Sequence, residues 1–309
     1  MIMTYGQAIN DALRIAEEIE PSVFVMGEGV DDPKAVFGTT KNLPRCYDMP
    51  LAEEGFTGFA IGAALMGMTP VIVHARVDFA LVCMNQLINI AAKFYHSSGG
   101  KQNPHFVVRM LIGRGWGQGS QHSQSLFSMF AHIPGLTVVA PSSALDAKGI
   151  LLWSIFEAKG PVIFIEHRRL YDIGGEVPED YYVEHPGARN VQYPETFLAE
   201  ERKTIVTFSY TTPTACLEKP GAEIIDLSSL RPLYGRDLIL DSFKRTGKLE
   251  IWEGDWVTCG ISAEIAAWLA EERLGVVRRG FQDCPAPTCW KLEDEYYGTS
   301  LPDDFRGPF

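Results

Sequence analysis

The sequence predicts an α/β protein with a largely parallel sheet, followed by a second and smaller α/β domain. Two patterns carry this prediction. Short continuous apolar runs end in Gly or polar residues, which is typical of strands buried on both faces of a parallel sheet. These runs alternate with longer segments whose apolar residues recur at helical spacing, and this alternation indicates units in which a helix connects two parallel strands.

The first half of the chain begins with a helical pattern and continues with buried strands. Residues 4–19 place apolar side chains on one face, and Thr4 is suited to cap the helix. Further helices are predicted at 81–100 and 145–158. Apolar runs predict strands within SVFVMGEGV (22–30), PVIVHA (70–75), HFVVRMLI (105–112), PGLTVVAPSS (134–143) and PVIFIEH (161–167).

The alternation stops after residue 170 and restarts farther on. Residues 181–200 are rich in Pro, Gly and acidic residues, have no sustained period, and are predicted to be a linker. We therefore expect one domain at 1–180 and a smaller one at 201–309. In the second domain helices are predicted at 237–247 and 263–275, and strands within KTIVTFSY (203–210), AEIIDL (222–227) and LEIWEG (249–254).

The composition is that of an ordinary globular protein of 309 residues, with 46% hydrophobic and 21% charged residues. A net charge of −12 argues against a nucleic-acid or anionic-membrane surface, because no net positive field collects phosphates. Acidic residues occur early where a signal peptide would carry bases, and no apolar run is long enough for a membrane span, so we expect a cytoplasmic protein. The six cysteines are scattered and are expected to be reduced, mostly buried thiols.

Two carboxylates stand where a loop runs into a helix. Glu53 and Glu54 follow a Pro and precede glycines at helical spacing, Gly55, Gly58 and Gly62. Small residues at this spacing let another backbone approach closely, and most of the remaining helix is apolar. The residues alone leave two interpretations open. The acids complement the positive end of the helix dipole, or they point into a functional site within a large interface or core.

Two further residues occupy positions where ligands bind in α/β proteins. Glu28 follows the first buried strand, at the edge where ligands collect, although a solvated turn residue is the simpler interpretation. His122 ends a glycine-rich loop, 113–119, and is a candidate for proton transfer, with a structural histidine as the alternative. This loop fits neither a phosphate-binding P-loop nor the dinucleotide fingerprint.

Eight segments carry a resemblance to a known family: GEGV (27–30), PLAEEGFTGFAIGAALMGMTPV (50–71), DFALVCMNQLINIAAKFYHSSGG (78–100), QHSQS (121–125), HIPGLTVVAPSSALDAKGILLWSI (132–155), PVIFIEHRRLY (161–171), IIDLSSLRPL (224–233) and AEIAAWLAEE (263–272). In this order they resemble the beta subunit of the first component of the thiamine-diphosphate-dependent 2-oxo acid dehydrogenases, including pyruvate, branched-chain and acetoin types. The resemblance spans nearly the whole chain. It implies a pyrimidine-binding domain followed by a transketolase-type C-terminal domain.

The resemblance also implies roles for individual residues. Thiamine chemistry needs a carboxylate beside the aminopyrimidine ring, and the family pattern places it at Glu53 rather than Glu54. Phe79 matches the aromatic residue that stacks on the aminopyrimidine, and His122 matches the histidine that faces substrate. We therefore expect Glu53 and His122 to be catalytic, and Glu28, Glu53 and Phe79 to bind the cofactor.

One absence in the sequence implies a partner. Thiamine enzymes hold magnesium and the diphosphate with a Gly-Asp-Gly segment and a downstream Asn, and the nearest string here is Glu253-Gly254-Asp255. The resemblance therefore implies an alpha subunit that carries the diphosphate and Mg²⁺, in an α2β2 heterotetramer, and no metal ligand in this chain. The family's potassium site lies around 146–157, and the residues leave its presence here open.

The implied reaction is decarboxylation of a 2-oxo acid with transfer of the acyl fragment to lipoyl-lysine, which a lipoylated acyltransferase would carry. A split transketolase-like or acyloin-forming enzyme, with an aldehyde or sugar as acceptor, is the alternative. The glycine-rich loop 113–120, with Trp116, keeps this alternative open because it lies where substrate and lipoyl-lysine would enter. A non-catalytic scaffold subunit is a third interpretation, which the joint presence of Glu53, Phe79 and His122 disfavours.

Overall fold

The computed structural model describes residues 1–113, 117–192 and 202–281. Its strands are β1 (Ile2–Thr4), β2 (Val23–Gly27), β3 (Cys46–Asp48), β4 (Thr69–His74), β5 (Val107–Ile112), β6 (Thr137–Val139), β7 (Val162–His167), β8 (Gly174–Glu176), β9 (Ala188–Gln192), β10 (Thr204–Thr207), β11 (Glu223–Leu227), β12 (Ser229–Arg231), β13 (Leu249–Trp256) and β14 (Val277–Phe281). Its α-helices are α1 (Tyr5–Ile19), α2 (Glu53–Leu65), α3 (Ala92–Ser97), α4 (Phe127–Ala131), α5 (Ala144–Phe156), α6 (Thr211–Glu218), α7 (Arg236–Thr246) and α8 (Ile261–Glu271).

Two main sheets organise the chain, and both are mostly parallel. The larger has the strand order β12-β6-β7-β5-β4-β2-β3, and all its pairs are parallel except β12 with β6. The smaller has the order β14-β13-β10-β11-β9, in which only β9 pairs antiparallel. The predicted fold class is confirmed. Because β12 follows β11 directly, it ties the second half of the chain to the edge of the first sheet.

The predicted linker contributes more structure than expected. Its residues 188–192 form β9, which adds an edge to the smaller sheet by pairing with β11. This strand is half-exposed and polar, so it lacks the apolar run by which the other strands were predicted. Residues 193–200 of the linker lie outside the described ranges, as do Trp116, Cys284 and Cys289. The boundaries at 180 and 200 stay a prediction.

The predicted helices agree with the structure except at 81–100, and α6 lies where the sequence patterns predicted no helix. Thr4 caps α1 through a reciprocal pair of hydrogen bonds with Gln7, as expected. In place of one helix, the chain forms a 3₁₀ helix at Val77–Cys83, a π-helix at Asn85–Ala91 and then α3. Apolar spacing does not distinguish these winding patterns, because each still turns one apolar face to the core. Within the described residues no single helix could span a membrane, although the bent pair Val77–Cys83 and Asn85–Ser97 meets that test by length and composition alone.

A buried ion pair fixes the loop that follows β2. Arg109 on β5 and Glu166 on β7 are fully buried and joined by hydrogen bonds of 2.5 and 3.0 Å. Arg109 Nη2 also donates to Thr39 Oγ1 at 3.0 Å, and the Tyr171 hydroxyl donates to Glu166 Oε2 at 2.5 Å. Since Thr39 belongs to the irregular segment after β2, this network holds that segment against the sheet.

Helix α2 has one face in the core and another in solvent. Phe56, Ala60 and Ile61 are buried, whereas Phe59 is 62% exposed and Met66, just after the helix, is 85% exposed. The glycines Gly55 and Gly62 lie on the exposed side. Within this chain, the expectation that α2 is buried in an interface or core is therefore met on one face only. The other face of α2 exposes apolar side chains next to glycines.

Candidate active site

A cavity of about 220 Å³ opens where three neighbouring strands of the large sheet end. Strands β2, β4 and β5 are adjacent and parallel, so their carboxyl ends meet at one edge, where ligands bind in open α/β sheets. The lining comes from the segments that follow these strands and consists of Glu28, Gly29, Asp32, Lys34, Val36, Phe37, Ala75, Arg76, Phe79, Gln118 and His122. Three of the four predicted site residues therefore share one cavity.

The fourth, Glu53, is linked to this cavity through Glu28. Glu53 begins α2, and the backbone N–H of Met49 donates to the Gly27 carbonyl at 2.8 Å, which brings the start of the helix beside the end of β2. The carboxyl group of Glu53 is close enough to Glu28 for the two groups to interact. Burial first, and then this interaction with Glu53, raises the pKa of Glu28 to about 7. Glu28 therefore holds its proton up to about neutral pH.

Gly27 makes this close packing of strand ends feasible. A Cβ atom at this position would lie 2.3 Å from the Val73 carbonyl oxygen on β4, which is far inside van der Waals contact. Only glycine lets β2 end at this distance from β4. Glu28 is thereby delivered to the cavity at a fixed position.

The two acids at the start of α2 have different environments. Glu54 is exposed, as expected of a residue that complements the helix dipole. Glu53 is half-buried and directed to a second carboxyl group, an arrangement that costs energy and is therefore typical of a functional site. The catalytic role of Glu53 stays a prediction.

Phe79 and His122 form the aromatic side of the cavity. Their ring centroids lie 5.6 Å apart with an interplanar angle of 88°, an edge-to-face contact. Within the described part of the chain, His122 Nδ1 and Glu28 Oε1 are buried atoms without a hydrogen-bond partner. Buried polar atoms are normally paired, so these two are available to a bound ligand.

The loop that carries His122 is held on one side by the first domain. Gln124 Nε2 donates to Asp78 Oδ1 at 2.8 Å, and the Gln124 backbone N–H approaches the same oxygen at 3.4 Å. Asp78 is buried and directly precedes Phe79. One carboxylate thus couples the positions of the phenyl ring and the imidazole.

The same loop is held on its other side by the second domain. The Ser125 hydroxyl donates to the Gly254 carbonyl, and the Ser128 backbone N–H and hydroxyl donate to Asp255 Oδ2 at 2.9 and 3.0 Å. Burial raises the pKa of Asp255 to about 6, opposed by the hydrogen bonds it accepts. The segment Glu253-Gly254-Asp255 therefore holds the His122 loop in place through Gly254 and Asp255. Among the described residues, no cluster of three or more His, Cys, Asp or Glu side chains could hold a metal ion.

Sequence reasoning missed the cations of the cavity. Arg76 is 7% exposed and its guanidinium contacts Gln118 Oε1 at 2.9 and 3.2 Å, while Lys34 is exposed at the rim. Arg76 precedes Phe79 by one turn, since the Phe79 N–H donates to the Arg76 carbonyl at 3.1 Å. Its position next to the predicted stacking residue was the signal that could have identified it.

Comparisons with known proteins cover nearly the whole chain. Residues 2–173 match the transketolase pyrimidine binding domain, and residues 202–299 match the transketolase C-terminal domain. The solved structure of a split-gene transketolase, an inactive β4 tetramer, has a TM-score of 0.74 and 20% identity, and the match covers 96% of this chain and 94% of that one. This similarity shows a shared fold.

Several curated relatives are more similar in sequence. The beta subunit of acetoin:2,6-dichlorophenolindophenol oxidoreductase from Cupriavidus necator is 37% identical over 318 residues, which covers 94% of this chain and 91% of that protein. The 2-oxoisovalerate dehydrogenase subunit beta of Bacillus subtilis is 36% identical, covering 88% and 86%. The pyruvate dehydrogenase E1 component subunit beta of Rickettsia felis is 32% identical, covering 95% and 93%. The chain therefore belongs to the transketolase-like family of beta subunits that serve the first component of thiamine-diphosphate-dependent 2-oxo acid dehydrogenases.

Proposed function

We propose that this chain is the beta subunit of a two-chain thiamine-diphosphate enzyme that decarboxylates a 2-oxo acid and passes the acyl fragment to lipoyl-lysine. The single observation that carries the proposal is the Glu28 and Glu53 carboxyl pair beside Phe79 and His122 at the ends of adjacent parallel strands. The identities of 32–37% to dehydrogenase beta subunits support the same reaction class.

The residues present suit the aminopyrimidine half of the cofactor. The aromatic ring of Phe79 lines the cavity, while Glu28 Oε1 and His122 Nδ1 are buried atoms without a hydrogen-bond partner in the described part of the chain. A heteroaromatic ring with amino and ring-nitrogen groups satisfies both kinds of contact. When bound, thiamine diphosphate supplies the carbon nucleophile that adds to the donor's carbonyl group.

The carboxyl pair provides the proton that the cofactor's ring requires. Glu53 would hold a proton at the pyrimidine ring nitrogen, and Glu28, whose pKa is about 7, would exchange a proton with it. A pKa near the operating pH is favourable for moving protons in both directions.

His122 is suited to act on the donor and on the acyl acceptor. Its ring is held edge-to-face on Phe79, and hydrogen bonds from Gln124, Ser125 and Ser128 fix its loop. A histidine fixed in this way can donate or accept a proton near neutral pH without moving away from the ligand.

The partner in this proposal is an alpha subunit that supplies Mg²⁺ and the diphosphate site, in an α2β2 heterotetramer. The exposed face of α2, with Phe59 and Met66 beside Gly55 and Gly62, suits close contact with another chain. A lipoylated acyltransferase would then receive the acyl group, and the assembly would be cytoplasmic. A potassium ion near α5 is part of the proposal only as the resemblance implies it.

The split transketolase-like alternative has less support. The split-gene transketolase shares 20% identity, whereas the dehydrogenase beta subunits share up to 37%. A scaffold without catalysis is also disfavoured, because two half-buried carboxyl groups close together are costly to keep when no chemistry uses them.

The test is co-expression with the neighbouring alpha-like chain, followed by calorimetric titration with thiamine diphosphate and Mg²⁺. We expect binding only by the complex, and Glu53→Gln should leave assembly intact while lowering turnover of the preferred 2-oxo acid by about 10²-fold or more. Glu54→Gln is the matched control, because that carboxyl group is exposed and adjacent. Wild-type turnover by Glu53→Gln, or tight cofactor binding by this chain alone, would contradict the proposal.

A further inference from the structure

Arg76 is a buried cation that lines the same cavity as the proposed thiamine site. It follows β4 by two residues and stands one turn before Phe79. Its side chain lines the cavity with Phe79 and His122, so a group bound to the guanidinium would belong to a ligand that occupies this cavity. Nothing in the roles proposed above uses this charge.

Several contacts fix the position of this guanidinium. Nη1 donates to the Ala75 carbonyl at 2.6 Å, and Nε and Nη2 donate to Gln118 Oε1. Cζ lies 5.8 Å from the Phe37 ring centroid. A Cβ atom on Gly113 would lie 2.4 Å from Nε, so the guanidinium can occupy this position only because residue 113 has no side chain. Arg76 is therefore oriented toward the cavity rather than free to leave it.

Charges of both signs line the cavity. Glu28, which interacts with Glu53, is acidic, and so is Asp32, which accepts hydrogen bonds from the backbone N–H groups of Lys34 and Ala35 at 2.8 Å each. The cations of the lining are Arg76, which is buried, and Lys34, which is exposed. The carboxyl groups suit the cofactor ring, and a guanidinium suits an anion.

The chemistry of decarboxylation decides which anion this would be. The carboxylate next to the carbonyl of a 2-oxo acid leaves as carbon dioxide, and a cation that binds it more strongly before bond breaking than during it slows that step. A guanidinium beside the cofactor is better used on an acidic group that the substrate keeps, because its binding energy is then retained throughout the reaction.

Resting on the proposed function, we propose that Arg76, assisted by Lys34, forms an anion subsite for a carboxylate or phosphate at the end of the donor distant from its reacting carbonyl. Gln118 Oε1, an exposed and neutral acceptor, would be the group that such an anion displaces or joins. The substrate class is thereby a donor with a retained acidic group, in contrast to one with an apolar tail.

The test compares matched donors on the holoenzyme, formed with the alpha-like chain, thiamine diphosphate and Mg²⁺. One pair is 2-oxoglutarate and 2-oxopentanoate, of equal carbon number, and the other is xylulose 5-phosphate and xylulose. Reduction of a soluble dye reports kcat/KM for each. We expect the wild type to prefer the acidic member of at least one pair by about tenfold or more, the size of a charge-assisted contact. The favoured pair distinguishes a carboxylate from a phosphate.

Variants separate charge recognition from structure. Arg76→Gln should lose the preference, because kcat/KM falls about tenfold more for the acidic donor than for the neutral one, and Arg76→Lys should keep part of it. Arg168→Gln is the control, since Arg168 also lies over Phe37, 4.9 Å from its ring centroid, but does not line the cavity. Calorimetry with glutarate and with inorganic phosphate measures anion binding independently of turnover. Arg76→Gln should raise the dissociation constant of the bound anion about tenfold.

Several outcomes would overturn the inference. Equal use of acidic and neutral donors by the wild type would do so, as would an equal loss for all donors in Arg76→Gln, or absence of glutarate and phosphate binding. The proposed function fails differently, namely when the complex does not bind thiamine diphosphate or when Glu53→Gln keeps wild-type turnover.

Discussion

Ser128 and Asp255 belong to different domains and are joined by two hydrogen bonds to a single carboxylate oxygen. The backbone N–H and the hydroxyl of Ser128 both donate to Asp255 Oδ2, and Asp255 Oδ1 accepts from the Trp256 N–H at 2.8 Å. Six residues before Ser128 the same loop presents His122 to the cavity. The second domain thus positions a proposed catalytic residue of the first.

Replacing this carboxylate should therefore affect catalysis at a distance. In Asp255→Asn one side-chain atom becomes an N–H donor that faces either Trp256 N–H or the Ser128 donors. We expect a loss of about 1–3 kcal/mol in stability, as for an unsatisfied buried group, and a lower kcat with thiamine diphosphate affinity unchanged. Thermal unfolding, calorimetry and steady-state kinetics of the complex measure these quantities. Asp241→Asn, at an exposed site, should change none of them, and unchanged kcat in Asp255→Asn would refute the positioning role.

The carboxyl pair should appear in the pH dependence of turnover. Because Glu28 has a pKa of about 7, it is neutral below that pH and negatively charged above it. We expect kcat/KM of the complex to fall above pH 7, and Glu28→Gln to remove this step while lowering the rate by about 10–100-fold. The profile between pH 5.5 and 9 measures it. Asp31→Asn, an exposed carboxylate outside the cavity, should keep the wild-type profile, so loss of the step there would argue against the assignment.

The buried carboxyl group of Glu253 should make the protein more stable at mildly acidic pH than at alkaline pH. Burial raises the pKa of Glu253 from 4.5 to about 8, although hydrogen bonds from Ser262 and the charge of Arg278 oppose it and Asp255 adds to it. Between about pH 4.5 and 8 the folded state therefore holds a proton that the unfolded state has already released. The free energy of unfolding falls as pH rises through this window, by at most about 1.4 kcal/mol per pH unit.

Thermal midpoints of the complex at pH 6 and pH 8 measure this dependence. Glu253→Gln keeps the hydrogen-bonding shape and removes the titration, so its two midpoints should lie closer together than those of the wild type. Glu264→Gln, on the exposed side of α8, serves as control. A wild-type midpoint that rises between pH 6 and 8 would contradict the expected sign.

The exposed face of α2 should contribute to assembly rather than to folding. Phe59 is 62% exposed, and a Cβ atom on Gly62 would meet nothing within 4 Å of this chain. Phe59→Ser and Gly62→Ala should therefore leave the fold intact but weaken association with the alpha-like chain, since one removes apolar contact area and the other blocks close backbone approach. Analytical ultracentrifugation of co-expressed chains measures the assembly. Leu217→Ser, at an 84% exposed apolar residue on α6, is the matched control; equal assembly of all variants would place the interface elsewhere.

The sequence by itself determined the family and most of the buried strands and amphipathic helices. Apolar runs such as VFVMG and VIFIEH identified buried strands because local hydrophobicity is read directly from neighbouring residues. The motif order that identified the family also singled out Glu53, Phe79 and His122, whose roles stay predictions until tested. Patterns that depend on local periodicity or on motif spacing are present in the chain before it folds.

Only the tertiary structure decided which distant residues meet. Glu28 reaches Glu53 because β2 ends beside the start of α2, and Arg76 reaches the cavity because β4 lies between β2 and β5. Asp255 reaches Ser128 because β13 brings its end to the His122 loop. The half-exposed edge strand β9 and the π-helix at Asn85–Ala91 also depended on packing. Strand order and the contact between the domains depend on the packing of residues that are distant in sequence. Short-range sequence patterns therefore do not show which charged residues this packing brings together.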